Sequence, residues 1–142
     1  KATWMGEVLP CSNDTGDGCT YTIGYWGHKP GVVWPAPYDR EATFFLDART
    51  WDEVINEPGK NGYNILAVQY IGALLNKANG ATTPQGVQTT IDLATAWFGT
   101  SVLSDCSAGG SGGLQKDWGA VLDLYNNGDY PGGPPHCGDE DE

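Results

Sequence analysis

The sequence predicts a mainly α, disulfide-tied and loop-rich domain, and three observations carry that expectation. The stretch NGYNILAVQYIGALLNKANG, residues 61–80, is apolar around most of a helical circumference. Two later segments repeat apolar residues at helical spacing and stop near glycine. Four cysteines, an even number with no C-x-x-C pair, favour two disulfides over a zinc site. The elements expected are three main helices, about 61–79, 84–98 and 114–127, a short helix at 51–57, and a few short strands in the N-terminal third. At 142 residues the chain makes one domain with room for a core. We divide it into an extended arm (1–10), a globular unit (11–137) and an acidic tail (138–142).

The arm, KATWMGEVLP, carries Trp4, Met5, Val8 and Leu9, which need a place to bury. It reads either as a strand on its own domain or as an arm that adds to a neighbouring subunit. Residues 11–19, CSNDTGDGC, make a tight polar loop. Asn13, Asp14 and Asp17 among glycines offer hard oxygen ligands of the kind calcium takes, without the frame of an EF-hand; a solvated turn is the simpler reading. Asn13-Asp14-Thr15 also forms a glycosylation sequon.

Residues 20–38 gather Tyr21, Tyr25, Trp26, Trp34 and Tyr38 among prolines and glycines. The segment 20–23 reads as a short strand. The aromatics read as a clamp against the central helix or, functionally, as a sugar-stacking platform. Residues 42–47, ATFFLD, read as another short strand. Thr50-Trp51-Asp52-Glu53 is a capping box that starts the short helix, and Pro58-Gly59 stops it.

In the central helix Asn61 can cap the start and Asn79-Gly80 the end. Ile65, Leu66, Ala67, Val68, Tyr70, Ile71, Leu74, Leu75 and Ala78 form its broad apolar surface. Only a narrow strip of Gln69, Gly72, Ala73 and Asn76 is small or polar. The rest of the chain must wrap such a helix. Thr83-Pro84 opens the next helix with Pro at its first position, and Val87, Ile91, Leu93, Ala94, Trp97 and Phe98 form its apolar face. The short connection makes these two helices antiparallel neighbours. Leu114, Trp118, Val121, Leu122 and Tyr125 line one face of the last helix, which Gly128 closes.

A net charge of −11 and only seven Lys and Arg argue against nucleic acid or an anionic membrane surface as partner. The central helix is too short and too polar to span a membrane. The first residue is Lys rather than Met, which we read as a processed, secreted product whose leader was removed. Gly109 to Gly113 match G-x-S-x-G, and Ser111 could be paired on paper with His136 and Asp117 or Asp123. No strong strand precedes that serine as a nucleophile elbow requires, so the glycines read as a surface loop. His28 and His136 are too few for a three-histidine metal site, and no phosphate loop or dinucleotide fingerprint occurs. The expectation is no enzyme, no catalytic residue, no cofactor and no metal beyond the calcium candidate.

The run Cys19-Thr-Tyr-Thr-Ile-Gly-Tyr-Trp26, followed by Trp34-Pro35, resembles a family of secreted bacterial proteins marked by a C-T-x-T-x-G-Y-W segment and a tryptophan–proline pair. The resemblance continues through Pro58-Gly-Lys-Asn-Gly62, Ile65-Leu-Ala, Gln69-Tyr-Ile and Leu75-Asn-Lys-Ala-Asn-Gly-Ala81. It returns at Leu122-Asp-Leu-Tyr-Asn-Asn-Gly128 and Gly133-Pro-Pro-His-Cys137. It lends no activity. It does imply Cys19–Cys137 as the shared disulfide, leaving Cys11–Cys106 as an added one; spacing alone leaves all three pairings open. Relatives often carry histidines where this chain has Lys29 and Val68, so a role needing that pair is absent here.

Together these readings predict a non-enzymatic extracellular structural protein: a self-associating subunit of a surface fibre, assembled through Trp4, Met5, Val8 and Leu9 of the arm. The alternative is a secreted carbohydrate-binding or adhesive module using Tyr21, Tyr25, Trp26, Trp34 and Tyr38.

Overall fold

The structure is a computed structural model, and it describes residues 19–56, 62–101 and 113–137. Its organising element is α3 (Gly62–Ala78), which buries Tyr63, Leu66, Ala67, Val68, Tyr70, Ile71 and Leu75. An apolar surface that wide needs partners on every side. They are α4 (Gln85–Phe98), α5 (Gly113–Asn126), and the short helices α1 (Ile23–His28) and α2 (Trp51–Asn56). Tyr70 hydrogen-bonds Thr95 while Tyr63 packs on Phe98, so α4 runs antiparallel to α3. Gly119 lies against Ile65 and Asn126 against Gly72, so α5 runs parallel to α3. These three helices make an up-down-up bundle, and the α3–α5 contact is its most extensive.

The helix ends follow from local chemistry. At the end of α3 the Ala81 N–H reaches Asn76 O and the Gly80 N–H reaches Lys77 O, with Gly80 left-handed at φ 101°. That is the double bond pattern of a Schellman stop, which a Cβ would oppose. The capping box of α2 is present in full: Thr50 N–H donates to Glu53 Oε1 at 2.9 Å, and Glu53 N–H to Thr50 Oγ1 at 3.2 Å. Pro84 sits one position earlier than expected, at the N-cap of α4. Leu93 and Leu114, assigned by spacing to the buried faces of α4 and α5, are exposed.

Among the described residues, the segments read as short strands each make a single bridge, Thr20 with His136 and Thr43 with Thr50. Ile23 instead enters α1, where the Trp26 N–H bonds Thr22 O. Residues 42–47 turn rather than extend, for a packing reason. A strand would send Phe44 and Phe45 to opposite faces. Phe45 takes φ 51°, and both rings reach Phe98, at 5.0 and 5.5 Å between centroids. Phe44, fully buried, also meets Trp51, Tyr63 and Tyr70. Left-handed backbone is unfavourable for an aromatic residue, and this cluster holds it there.

The two ends of the described unit are tied together. Cys19 and Cys137 form a disulfide, the pairing the family resemblance implies. Beside it Thr20 N–H donates to Pro135 O at 2.9 Å and Cys137 N–H to Thr20 O at 2.7 Å. Gly128, at φ 78°, lets the chain leave α5 hard against the His136 backbone, where a Cβ would stand 2.2 Å from His136 N. The arm, the 11–18 loop, Cys11, Cys106, Pro58-Gly59, Asn61, Ser111 and the acidic tail lie outside the described residues.

Candidate functional site

The narrow polar strip of α3 is its most tightly used surface. Asn76 is wholly buried and spends its full amide capacity. Its Oδ1 accepts from Tyr21 N–H at 2.8 Å and from Trp26 Nε1–H at 3.1 Å. Its Nδ2 donates to Tyr21 O at 2.8 Å and to Asn126 Oδ1 at 2.9 Å. Asn126, 1% exposed, donates in turn to Gln69 O and Gln69 Oε1. One network, saturated at Asn76, thus fixes α1 and α5 on α3, and saturation is what makes a buried amide stabilising. Gly72 lies in the same strip: a Cβ there would sit 2.9 Å from Asn126 Nδ2 and 3.0 Å from Ile23 Cγ2.

A second set of polar ties shapes the surface loop after α1. Arg40 donates to Trp26 O at 2.8 Å and Gly27 O at 3.5 Å, carbonyls at the end of α1 that have no helical partner ahead of them. It also donates to Val32 O at 3.3 Å and pairs with Asp52 at 2.6 Å. Its guanidinium lies 4.6 Å over the Trp34 ring, whose Nε1–H donates to Trp26 O at 2.9 Å. Backbone bonds from Tyr38 N–H to Pro35 O and Ala42 N–H to Asp39 O close successive turns, and the Ala36–Pro37 peptide is cis. The result is a shallow open groove of about 580 Å³, lined by residues 32–34 and 36–41. Val33, 85% exposed, stands on it, with exposed Ala36 and Pro37; Asp39 and Glu41 are exposed at the Arg40 end.

The five aromatics of residues 20–38 do not form one open face. Trp26 and Trp34 are 2% and 7% exposed and spend their indole N–H groups inside the protein. Tyr21 and Tyr25 stack at 3.7 Å and both meet Trp26 edge-on. Tyr38, half-buried, packs on Trp51 at 5.6 Å, and burial pushes its hydroxyl pKa up. Two of the five rings, buried Trp34 and half-buried Tyr38, line the groove.

Other sequence candidates are dispersed. His28 is exposed at the end of α1, whereas His136 is half-buried in the bridge to Thr20. Asp123 accepts from Asn127 and Asp117 is exposed, while Ser111 lies outside the described residues. Val68 is buried on α3. Among the described residues no group of three or more His, Cys, Asp or Glu could hold a metal ion, and no helix is long and apolar enough to cross a membrane.

Sequence reading missed Arg40 and Asn76 as organising residues. An asparagine inside an apolar helix is the signal that was present for Asn76; Arg40 acts on carbonyls that no sequence pattern marks. A third tie, Arg49 to Asp47 at 2.7 Å and to Asn64 at 3.0 Å, anchors the 44–49 turn to α3. Burial pushes the Asp47 carboxyl up, but the Arg49 hydrogen bonds and charge outweigh it and hold its pKa below the ordinary value.

No protein-family model matches this chain, and no curated protein or solved structure matches it.

Proposed function

We propose that this protein is a non-enzymatic, secreted structural protein, a self-associating subunit of a surface fibre assembled through residues 1–10. The observation that supports this most is the closure of the domain on itself. Cys19 and Cys137, the first and last described residues, are bonded and flanked by main-chain hydrogen bonds. A pull through residues 1–18 meets a covalent bond before it meets the helical bundle. That suits a subunit held to its neighbour by an arm. The arm's Trp4, Met5, Val8 and Leu9 supply apolar surface for such a joint, and a head-to-tail joint that does not close into a ring propagates as a fibre. Electron microscopy of the intact protein tests this: filaments are expected, and protein lacking residues 1–10 should remain folded and monomeric.

The second reading, a carbohydrate-binding or adhesive module, draws support from Tyr38, Asp39 and Glu41 beside one another on the groove, since aromatic rings and carboxylates are groups sugars engage. Against it, the Arg40 guanidinium covers a face of Trp34 and Tyr38 leans on Trp51. Binding on a glycan array that is lost in Tyr38→Ala, from protein that forms no filaments, would favour this reading instead.

A further inference from the structure

We infer that the groove of residues 32–41 is the acceptor for residues 1–9 of a second copy of this chain; this rests on the assembly reading above and names its joint. The groove matches that segment in chemistry. Val33 is the most exposed of the large apolar side chains on the described surface, and Ala36 and Pro37 continue the apolar wall. Its one cation is consumed: Arg40 is held by Asp52, by three backbone carbonyls and by the Trp34 ring. Asp39 and Glu41 are exposed, and among the described residues neither has an ion-pair partner. The groove therefore offers apolar surface ending in two exposed carboxylates, of which Asp39 also accepts the Glu41 backbone N–H at 2.9 Å.

The segment KATWMGEVLP offers the complement. Lys1 stands ahead of the Trp4-Met5 pair, and Glu7 lies on its far side. A pose with Trp4 or Met5 on the Val33–Pro37 wall and Lys1 on the side of Asp39 and Glu41 leaves Glu7, by sequence order, on the opposite side of the anchor. A volume of about 580 Å³ accommodates an aromatic anchor with its neighbour. The wall is already fixed by Pro35, Pro37 and the Arg40 ties, so little ordering is lost on docking. Residues 1–18 span at most about 60 Å when extended, ample to bridge adjacent bodies of this size.

The test uses the full chain. A photo-reactive benzoylphenylalanine replaces Val33 in ¹⁵N-labelled protein, which is co-assembled with unlabelled protein, irradiated and mapped by mass spectrometry. Cross-links from labelled position 33 to unlabelled residues 1–9 are expected. Val33→Asp should raise the critical concentration for assembly at least about tenfold, the effect of losing one buried anchor, with an unchanged melting curve because the side chain is exposed. Asp39→Lys with Glu41→Lys should also impair assembly, and adding Lys1→Glu should restore it. Cross-links confined to one isotope or to other segments overturn the inference. So does normal assembly of Val33→Asp when Leu124→Asp, on the exposed flank of α5, abolishes it; that result leaves the assembly reading standing with a different acceptor. Absence of filaments from the intact protein overturns both.

Discussion

The α3–α4–α5 bundle and the loop region of residues 29–50 are held by opposite means. In the bundle, stability is spread over area: every turn of α3 buries large side chains, and buried polar contacts are few, chiefly the Asn76–Asn126 seam and the Tyr70–Thr95 hydrogen bond. In the loop region, outside the Phe44–Phe45 cluster, few side chains are fully buried and order comes from individual atoms: Arg40 on three carbonyls, the Trp34 indole on Trp26 O, Arg49 on Asp47 and Asn64. Area tolerates substitution gradually, whereas a tie made by one guanidinium is present or absent. A surface built the second way can be shaped without disturbing the core, and the groove lies there.

The largest expected effect falls on the tie between the two ends of the described unit, which closes the chain around both regions. Replacing Cys19 and Cys137 together by Ser removes a bridge with a sequence separation of 118. The chain-entropy model gives about 4–5 kcal/mol for a loop of that size, read in urea titrations followed by both near-UV and far-UV circular dichroism. If the comparison is right, the bundle's helicity outlasts the aromatic near-UV signal of residues 20–38; a single coincident transition would show that the regions are one cooperative unit.

Next comes Asn76→Leu, which suits the helix but strands the Trp26 indole N–H, the Tyr21 backbone and the Asn126 carbonyl. Buried unpaired groups cost about 1–3 kcal/mol each, so a loss of about 3 kcal/mol or more is expected from denaturant melts. A neutral result would mean that area alone holds α1 on the bundle. Arg40→Ala should cost less, about 1–2 kcal/mol, because the ion pair is partly exposed and screened. Its signature is local: hydrogen exchange should speed at residues 30–41 and remain slow in α3. Arg40→Lys should not rescue, since one ammonium cannot reproduce the planar fork over Trp34.

The remaining effect is alkaline. Burial, partly offset by Thr95, raises the Tyr70 hydroxyl to about 12, and burial raises Tyr125 and Tyr38 as well. A native pKa above the unfolded value of about 10 gives stability that is complete below pH 10 and is lost as pH rises through the native value. Stability should therefore fall between about pH 10 and 12, with tyrosinate absorbance lagging until the bundle opens. Full tyrosinate absorbance near pH 10 in folded protein would contradict the packing of Tyr70.

The contrast also explains what could be read from the sequence. Helices 61–79, 84–98, 114–127 and 51–57 were legible within a residue or so at each described end, because area-driven elements leave a period in the sequence and T-x-x-E a cap. α1 was not: its six residues include Gly24, Tyr25 and Gly27, poor local helix formers, and it exists because Asn76 and Gly72 receive it. The turn at Phe45 was hidden for a similar reason, since FF between β-prone neighbours reads as strand until Phe98 claims both rings. Of the groove, its aromatic and proline content was visible, but its shape depends on Arg40 reaching carbonyls several residues back.

Fibre assembly through the first ten residues is tested most directly by sedimentation of the intact chain beside a chain lacking residues 1–10, at equal concentration and with matched thermal melts. Pelleting filaments from the intact protein and a folded, soluble monomer from the truncated one is the expected result. Filaments of undiminished yield from the truncated protein would contradict it.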